Sequence, residues 1–403
     1  MVYWWRRVQF SWLRWGFVKA ILGGEKHEET YARSRVVISL LVPDLRGGGA
    51  ERVNLLLIKE FLRLGHSVDL LLLQKRGALL DDVSSGAKVV DLSAPRVRSG
   101  FWPLVRYLRD RKPEVLLVSM WPLTTLAVLA AKVAGYTGCL ITSEHNALSK
   151  TRQADGLSGA LLRLSMRWIN GRSDVVVGVS DGVIDDLHRL GLPSRTGRTI
   201  YNPVAISSTT ELSDTWREHP WLKTNQSSRI LAVGSLKPQK DYPTLLRAMR
   251  RLRHDGQQRE LLILGTGPLE PDLRAQRDAL GLSDVVHFGG FVSDPGPFYR
   301  AAGLFVLSSA WEGFGNVLVE ALAAGTPVVA TNCQSGPAEI LEEGKYGSLT
   351  PVGDDLALAK AIEASLKAER NADALRRRAA DFSPERIAEQ YLEIFSSSQG
   401  FGV

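Results

Sequence analysis

Short apolar runs recur along this chain, each followed by a polar loop and a helix-like stretch. That rhythm constrains the fold more than any other feature. The runs Val36–Val42, Val68–Leu73, Val115–Val118, Cys139–Thr142 and Val175–Val179 are rich in Val, Leu and Ile and show no apolar/polar alternation. Such runs read as parallel strands covered on both faces. Helix-like segments separate them, among them Ala50–Leu64, Leu123–Ala134 and Leu157–Ile169. A polar stretch from Ser207 to Ser228 then interrupts the pattern, with Asp214, Glu218, Pro220 and Asn225, and reads as a linker. The rhythm restarts at Ile230–Val233, Leu261–Leu264, Val285–Phe288, Leu304–Leu307 and Val328–Ala330. Helices are expected at Tyr242–Arg253, Glu270–Leu280, Asn316–Ala324, Asp355–Ala368 and Pro384–Phe395, the last with Ser383 as N-cap and Pro384 as its first residue.

A length of 403 residues fits two such α/β units. The expected organisation is a leader (1–33), a first doubly wound domain (34–206), a linker (207–228), a second domain (229–382) and a crossover helix with tail (383–403). In sheets of this kind ligands bind at the carboxyl ends of the strands, so the strand-end loops are where chemistry is expected.

Composition narrows the partners. The net charge is +7, and arginine is dispersed except for Arg376, Arg377 and Arg378. Without zinc-finger spacing or an aromatic RNA-binding signature, nucleic acid is not an expected partner. A basic surface instead suits anionic phospholipid or a pyrophosphate-linked acceptor. Cys139 and Cys333 are the only cysteines and lie in or beside apolar strands, so the expected compartment is the reducing cytoplasm. The leader holds four of the ten tryptophans (Trp4, Trp5, Trp12, Trp15) with Arg6, Arg7, Arg14 and Lys19, and no acid before Glu25. Those cations interrupt the apolar run too often for a spanning helix. Two readings stand: a peripheral contact with the inner face of the cytoplasmic membrane, or an unstructured leader, even an overextended gene start.

The most informative loop is Glu312-Gly-Phe-Gly-Asn-Val-Leu-Val-Glu320. Gly313 and Gly315 let the backbone bend and a ligand approach, and Asn316 is expected to cap the following helix. One carboxylate then lies on the turn and one on the helix, with backbone N–H groups between them. Helix starts attract anions and carboxylates accept from hydroxyls, a combination suited to a ligand with hydroxyls around a phosphate. Gly47, Gly48 and Gly49 precede another helix and form a second phosphate nest, without a Walker or G-x-G-x-x-G pattern. Ser143, Glu144 and His145 leave a buried strand together, which folding does not require. Lys237 or Lys240, after the first strand of the second unit, could neutralise a diphosphate. The glycine turns Gly265–Gly267 and Gly289–Gly290 could hold a nucleobase edge, and Glu339 reads as a first-turn helix acid. No G-x-S-x-G elbow, H-E-x-x-H, paired Cys-x-x-Cys or Asp-x-Asp occurs, so neither a hydrolase nor a metal site is indicated.

With these loops in this order, the chain resembles retaining glycosyltransferases of family 4, of GT-B fold. The resemblance runs from Val36 to Phe395 and rests on the E-x7-E motif, the Gly48–Glu51 loop, Ser143–His145 and Lys240. It implies two Rossmann-like domains and a nucleoside-diphosphate sugar in the cleft, without a metal cofactor. Glu312 would contact donor-sugar hydroxyls, Glu320 the ribose, and Lys240 the diphosphate, aided by the amides of Gly49 and of Gly313, Phe314, Gly315 and Asn316. His145 would lie beside the sugar from the opposite domain. Gly48 and Ser235 complete the expected donor site, but Ser235 stands where relatives usually carry an arginine. The implied reaction is front-side transfer to a hydroxyl of a growing, lipid-linked cell-surface glycan. Asn316 favours UDP-hexose or UDP-N-acetylhexosamine. A GT-B-type UDP-N-acetylglucosamine epimerase and an inactive, binding-only relative are the alternatives.

Overall fold

The computed structural model describes residues 35–150, 156–169, 172–193, 197–205, 214–257 and 259–398. The aromatic leader, the start of the expected linker and the last five residues lie outside them. Two all-parallel sheets organise the chain. The first contains β1 (Val37–Val42), β2 (Ser67–Leu72), β3 (Lys88–Asp91), β4 (Val115–Ser119), β5 (Cys139–Glu144), β6 (Val175–Gly178) and β7 (Gly197–Thr199), in the order β3-β2-β1-β4-β5-β6-β7. The second contains β8 (Arg229–Val233), β9 (Glu260–Leu264), β10 (Val286–Gly290), β11 (Leu304–Leu307), β12 (Val328–Thr331) and β13 (Ser348–Thr350), in the order β10-β9-β8-β11-β12-β13. Each sheet reverses its winding where its first and fourth strands pair, β1 with β4 and β8 with β11. That switch point opens a crevice at the carboxyl ends, as the β-α rhythm predicted.

All ten expected strands form, within two residues at either end. The three additional ones, β3, β7 and β13, are short and lie at sheet edges. An edge strand is covered less than a central one, so it needs no continuous apolar run and leaves little trace in the sequence. Helix Phe101–Arg111 was also unforeseen: its buried stripe is only Leu104, Val105 and Leu108, among arginines. It faces a buried polar cluster, in which Asp69 of β2 accepts from Tyr107 Oη (2.7 Å) and pairs with Arg111 (2.8 Å).

Residues 214–228, within the stretch read as a linker, instead pack as short helices on the second sheet. Trp221 is fully buried there, and its Nε1 donates to the carbonyls of Ile230 and Glu260 at 3.2 Å each. Helix Pro384–Ser398 crosses back as expected. Its Ile387, Ala388, Tyr391, Leu392 and Phe395 join Ile58 and Phe61 in the core of the first domain, with the Phe61 and Phe395 rings 5.8 Å apart. Burying those side chains at about 25 cal/mol per Å² holds the two domains as one body.

Candidate functional site

The cleft between the sheets brings the strand-end loops together. After β1, Gly47 takes φ 118°, a conformation that suits glycine. Gly48 is the N-cap of helix Gly49–Arg63, and the Glu51 carboxylate folds back over it; a Cβ on Gly48 would lie 2.2 Å from Glu51 Oε2. In this state Glu51 therefore occupies the amide groups of that helix start. Burial raises its pKa, offset in part by its own and the Gly48 amide.

Facing this nest, helix Asn316–Ala323 begins on the second domain. Its N-cap is Gly315, at φ 106°, so the expectation that Asn316 caps it is corrected. Asn316 is the first helical residue, and its Oδ1 accepts from Asn202 Nδ2 of the first domain at 2.9 Å. A Cβ on Gly49 would lie 3.9 Å from Asn316 Nδ2, so two helix N-termini converge across the cleft. Their partial positive charges act on the same space.

Glu312 lies beside them, 5% exposed. Its Oε1 accepts from Lys240 Nζ (2.6 Å) and Ser309 Oγ (2.6 Å), and its Oε2 from Gln239 Nε2 (3.2 Å). Lys240 reaches this position because it ends the turn Pro238–Lys240, and because Gly234 leaves room for its stem; a Cβ there would lie 3.0 Å from Lys240 Cε. Of the two candidate lysines, Lys237 is exposed while Lys240 is in the site. Ser235 is part-exposed in the same loop and accepts the Lys237 amide on its carbonyl, so the arginine expected there has no substitute at that position. Phe314 turns its ring into a trio with Tyr201 (5.4 Å) and Phe382 (5.4 Å), leaving only its backbone to a ligand.

Glu320 stands one helix turn further in, and its Oε2 accepts from Tyr299 Oη at 2.8 Å. Burial raises its pKa, offset by Tyr299 and by Arg52. Glu320, Asn316, Tyr299, Asp294, Arg52 and Lys59 line a cavity of about 500 Å³ between the domains. Arg52 and Lys59 escaped the sequence reading, although both fall on the helix that the glycine nest opens. Tyr299 and Gln239 offered no signal.

His145 comes from the opposite side. Its Nε2 lies 3.3 Å from Ser143 Oγ, while its buried Nδ1 has no hydrogen-bond partner. Burial, offset partly by Asn202, pushes its pKa down to about 4, so the ring is neutral at working pH. Glu144 turns away from the cleft and accepts from the Trp121 amide and Thr124 Oγ1, both at 3.0 Å. Burial pushes its pKa up to about 7.

The seam is tight. Ser180 Oγ donates to the Gly313 carbonyl at 2.7 Å, and a Cβ on Gly313 would lie 2.0 Å from the His145 carbonyl oxygen. Glu339 does more than serve its own helix. It accepts from the Asp181 amide (2.7 Å) and the Gly182 amide (3.1 Å) of the first domain, as well as from Gly336 (3.3 Å). Among the described residues, no helix is long and apolar enough to cross a membrane.

Comparison with known proteins agrees with this fold. The profile of the family "Glycosyl transferases group 1" matches residues 215–382, and that of "Glycosyltransferase Family 4" matches residues 47–208. An uncharacterized glycosyltransferase of Methanocaldococcus jannaschii is 26% identical over 272 residues, covering 62% of this chain and 66% of that protein. The chain thus spans just under two thirds of that relative. A Campylobacter jejuni α-1,4-N-acetyl-D-galactosaminyltransferase, named for a diphospho-undecaprenol-linked acceptor, is 25% identical over 375 residues, 89% of this chain and 98% of its own. The fold matches that of Anabaena HepE, solved with UDP and glucose, at a TM-score of 0.75 and 22% identity over 90% of this chain and 100% of that one. The chain belongs to the family 4-like glycosyltransferases of GT-B fold.

Proposed function

We propose that this protein is a retaining glycosyltransferase that moves a hexose or N-acetylhexosamine from a UDP-sugar to a hydroxyl of a growing, lipid-linked cell-surface glycan. The observation that carries the reading is the convergence of two helix N-termini, at Gly49 and Asn316, beside the Lys240–Glu312 pair. That arrangement suits a diphosphate flanked by hydroxyl-bearing groups. Lys240 and the two helix starts meet the charge of the departing diphosphate, without a divalent cation. Glu312 Oε2, held by one long bond to Gln239, keeps acceptor capacity for a sugar hydroxyl. Glu320 Oε1 is left for the ribose diol while Tyr299 holds Oε2. His145, neutral and with Nδ1 unpartnered, supplies a polar contact from the other domain.

In this mechanism the bond from the anomeric carbon to the leaving phosphate oxygen breaks while the acceptor oxygen bonds on the same face. The acceptor proton passes to that phosphate oxygen, so no protein base is required. Closure of the cleft keeps water out. The relatives support the substrate class: UDP and glucose are bound in the Anabaena complex, and the Campylobacter enzyme is named for a diphospho-undecaprenol-linked acceptor.

The test is a donor screen that reads release of UDP or GDP, in the presence and absence of EDTA. Slow UDP release from one donor, unaffected by EDTA, is expected; Glu312→Ala and Lys240→Ala should abolish it. If no donor gives release and none shifts the melting temperature, the transferase reading fails. Retention of activity in both variants would refute the site.

A further inference from the structure

Five of the eight exposed large apolar side chains among the described residues lie on one face of the first domain. They are Trp102, Leu129, Val133, Leu161 and Leu164, on the helices Phe101–Arg111, Leu123–Ala134 and Gly156–Ile169, which pack side by side. Leu129 and Val133 are four residues apart, and Leu161 and Leu164 are three apart, so each pair forms an outward stripe. Leu162 and Met166 form the inward stripe of the same third helix, which is therefore apolar on two sides. A surface helix of a soluble domain normally turns polar residues outward. Helix Pro384–Ser398 does so, with Glu385, Glu389 and Glu393 exposed.

The charges beside the apolar stripes are predominantly cationic, and Asp110 pairs with Arg106 at 3.6 Å. Arg106, Arg109, Lys132 and Arg163 are exposed on these three helices, whose only acid is Asp110. We propose that this face docks on a bilayer that carries anionic phospholipid headgroups. Leucine and tryptophan would enter the interface while the guanidinium and ammonium groups meet phosphates. Other occupants fit less well. The leader brings four cations and no acid in its first 22 residues, so the cationic face repels it. A second copy would set the same cations against one another. The face connects to the cleft, since Trp121 Nε1, on the loop after β4, donates to Ser165 Oγ of the third helix at 2.9 Å.

The experiment is co-sedimentation of the full-length chain with vesicles of phosphatidylglycerol and phosphatidylcholine, against phosphatidylcholine alone. Leu161 and Leu164 are 63% and 66% exposed, so Leu161→Asp with Leu164→Asp leaves the fold and UDP release unchanged. The double variant should partition about tenfold or more less onto the anionic vesicles. Arg163→Glu should weaken binding in the same direction, and added salt should weaken it in the parent chain. Undiminished binding by both variants would overturn the proposal. So would a dimer in sedimentation velocity that the double variant dissociates. A photo-crosslinker at position 161 that captures residues of the leader would overturn it as well. Vesicle binding is read independently of sugar transfer, so its failure is distinguishable from failure of the transferase reading.

Discussion

Replacing Gly313 by alanine tests the interdomain seam with a single methyl group. The added Cβ would lie 2.0 Å from the His145 carbonyl oxygen, 2.7 Å from its carbon and 3.1 Å from Asn146 Cα. All three are backbone atoms, so no side chain can rotate away. Relief to an ordinary contact requires the domains to part by about 1–1.5 Å. The bonds across the seam begin at 2.7–3.1 Å, namely Ser180 to Gly313, Asp181 and Gly182 to Glu339, and Asn202 to Asn316. Parting by that amount takes them beyond hydrogen-bonding range. Two are charge-assisted, and after water replaces the lost partners a net cost of about 3 kcal/mol for closure is reasonable. That corresponds to roughly a hundredfold loss in kcat/KM. Gly313 does not require a positive φ, so the substitution adds no backbone strain. The expected result is UDP release reduced about a hundredfold with a melting temperature close to that of the parent chain. Unimpaired turnover would show that the closed seam is not the reacting state, and the reasoning would fall.

Four further outcomes follow from the structure. Glu339→Gln keeps an acceptor but removes the charge, and should lower kcat/KM by a smaller factor, about tenfold; no change would remove Glu339 from the seam. Glu144 has a folded pKa raised to about 7, so the stability it contributes is complete below about pH 4.5 and is lost as pH rises through 7. Urea midpoints of Glu144→Gln should therefore fall less than those of the parent between pH 5 and 8, and parallel curves would contradict the burial argument. His145, with its pKa pushed down to about 4, works in the other direction: its contribution is present above pH 6.5 and lost as pH falls toward 4. Asp69→Ala leaves Tyr107 and Arg111 without their shared carboxylate, and Arg111 is partly exposed and can rehydrate. A loss of about 2 kcal/mol in urea unfolding is expected, and a neutral result would mean water replaces the carboxylate fully.

Nine of the ten strands that were legible lie inside the sheets, where a strand covered on both faces must be apolar throughout; the tenth, β10, is at an edge. The other three edge strands, β3, β7 and β13, were not legible, and neither was helix Phe101–Arg111, whose buried stripe is narrow. Glu312, Glu320, Lys240 and the glycine nest were singled out through glycine spacing and strand-end position, which are local properties, and the structure places them around one cleft. Arg52, Lys59, Tyr299 and Gln239 were missed because each matters only through what lies opposite it in space.

The sequence by itself determined two doubly wound α/β units and which loops fall at the carboxyl ends of their strands. These follow from periodicity and turn chemistry, which act over a few residues. Tertiary structure decided which carboxylate each cation meets, that Asn316 reaches across to Asn202 while Gly315 takes the cap, and that Glu339 holds the opposite domain. It also decided that a leucine stripe faces outward. Lys240 and Glu312, 72 positions apart, meet at the strand ends of one sheet, while the Asn202–Asn316 and Asp181–Glu339 pairings join residues more than a hundred positions apart and form only where the two domains pack.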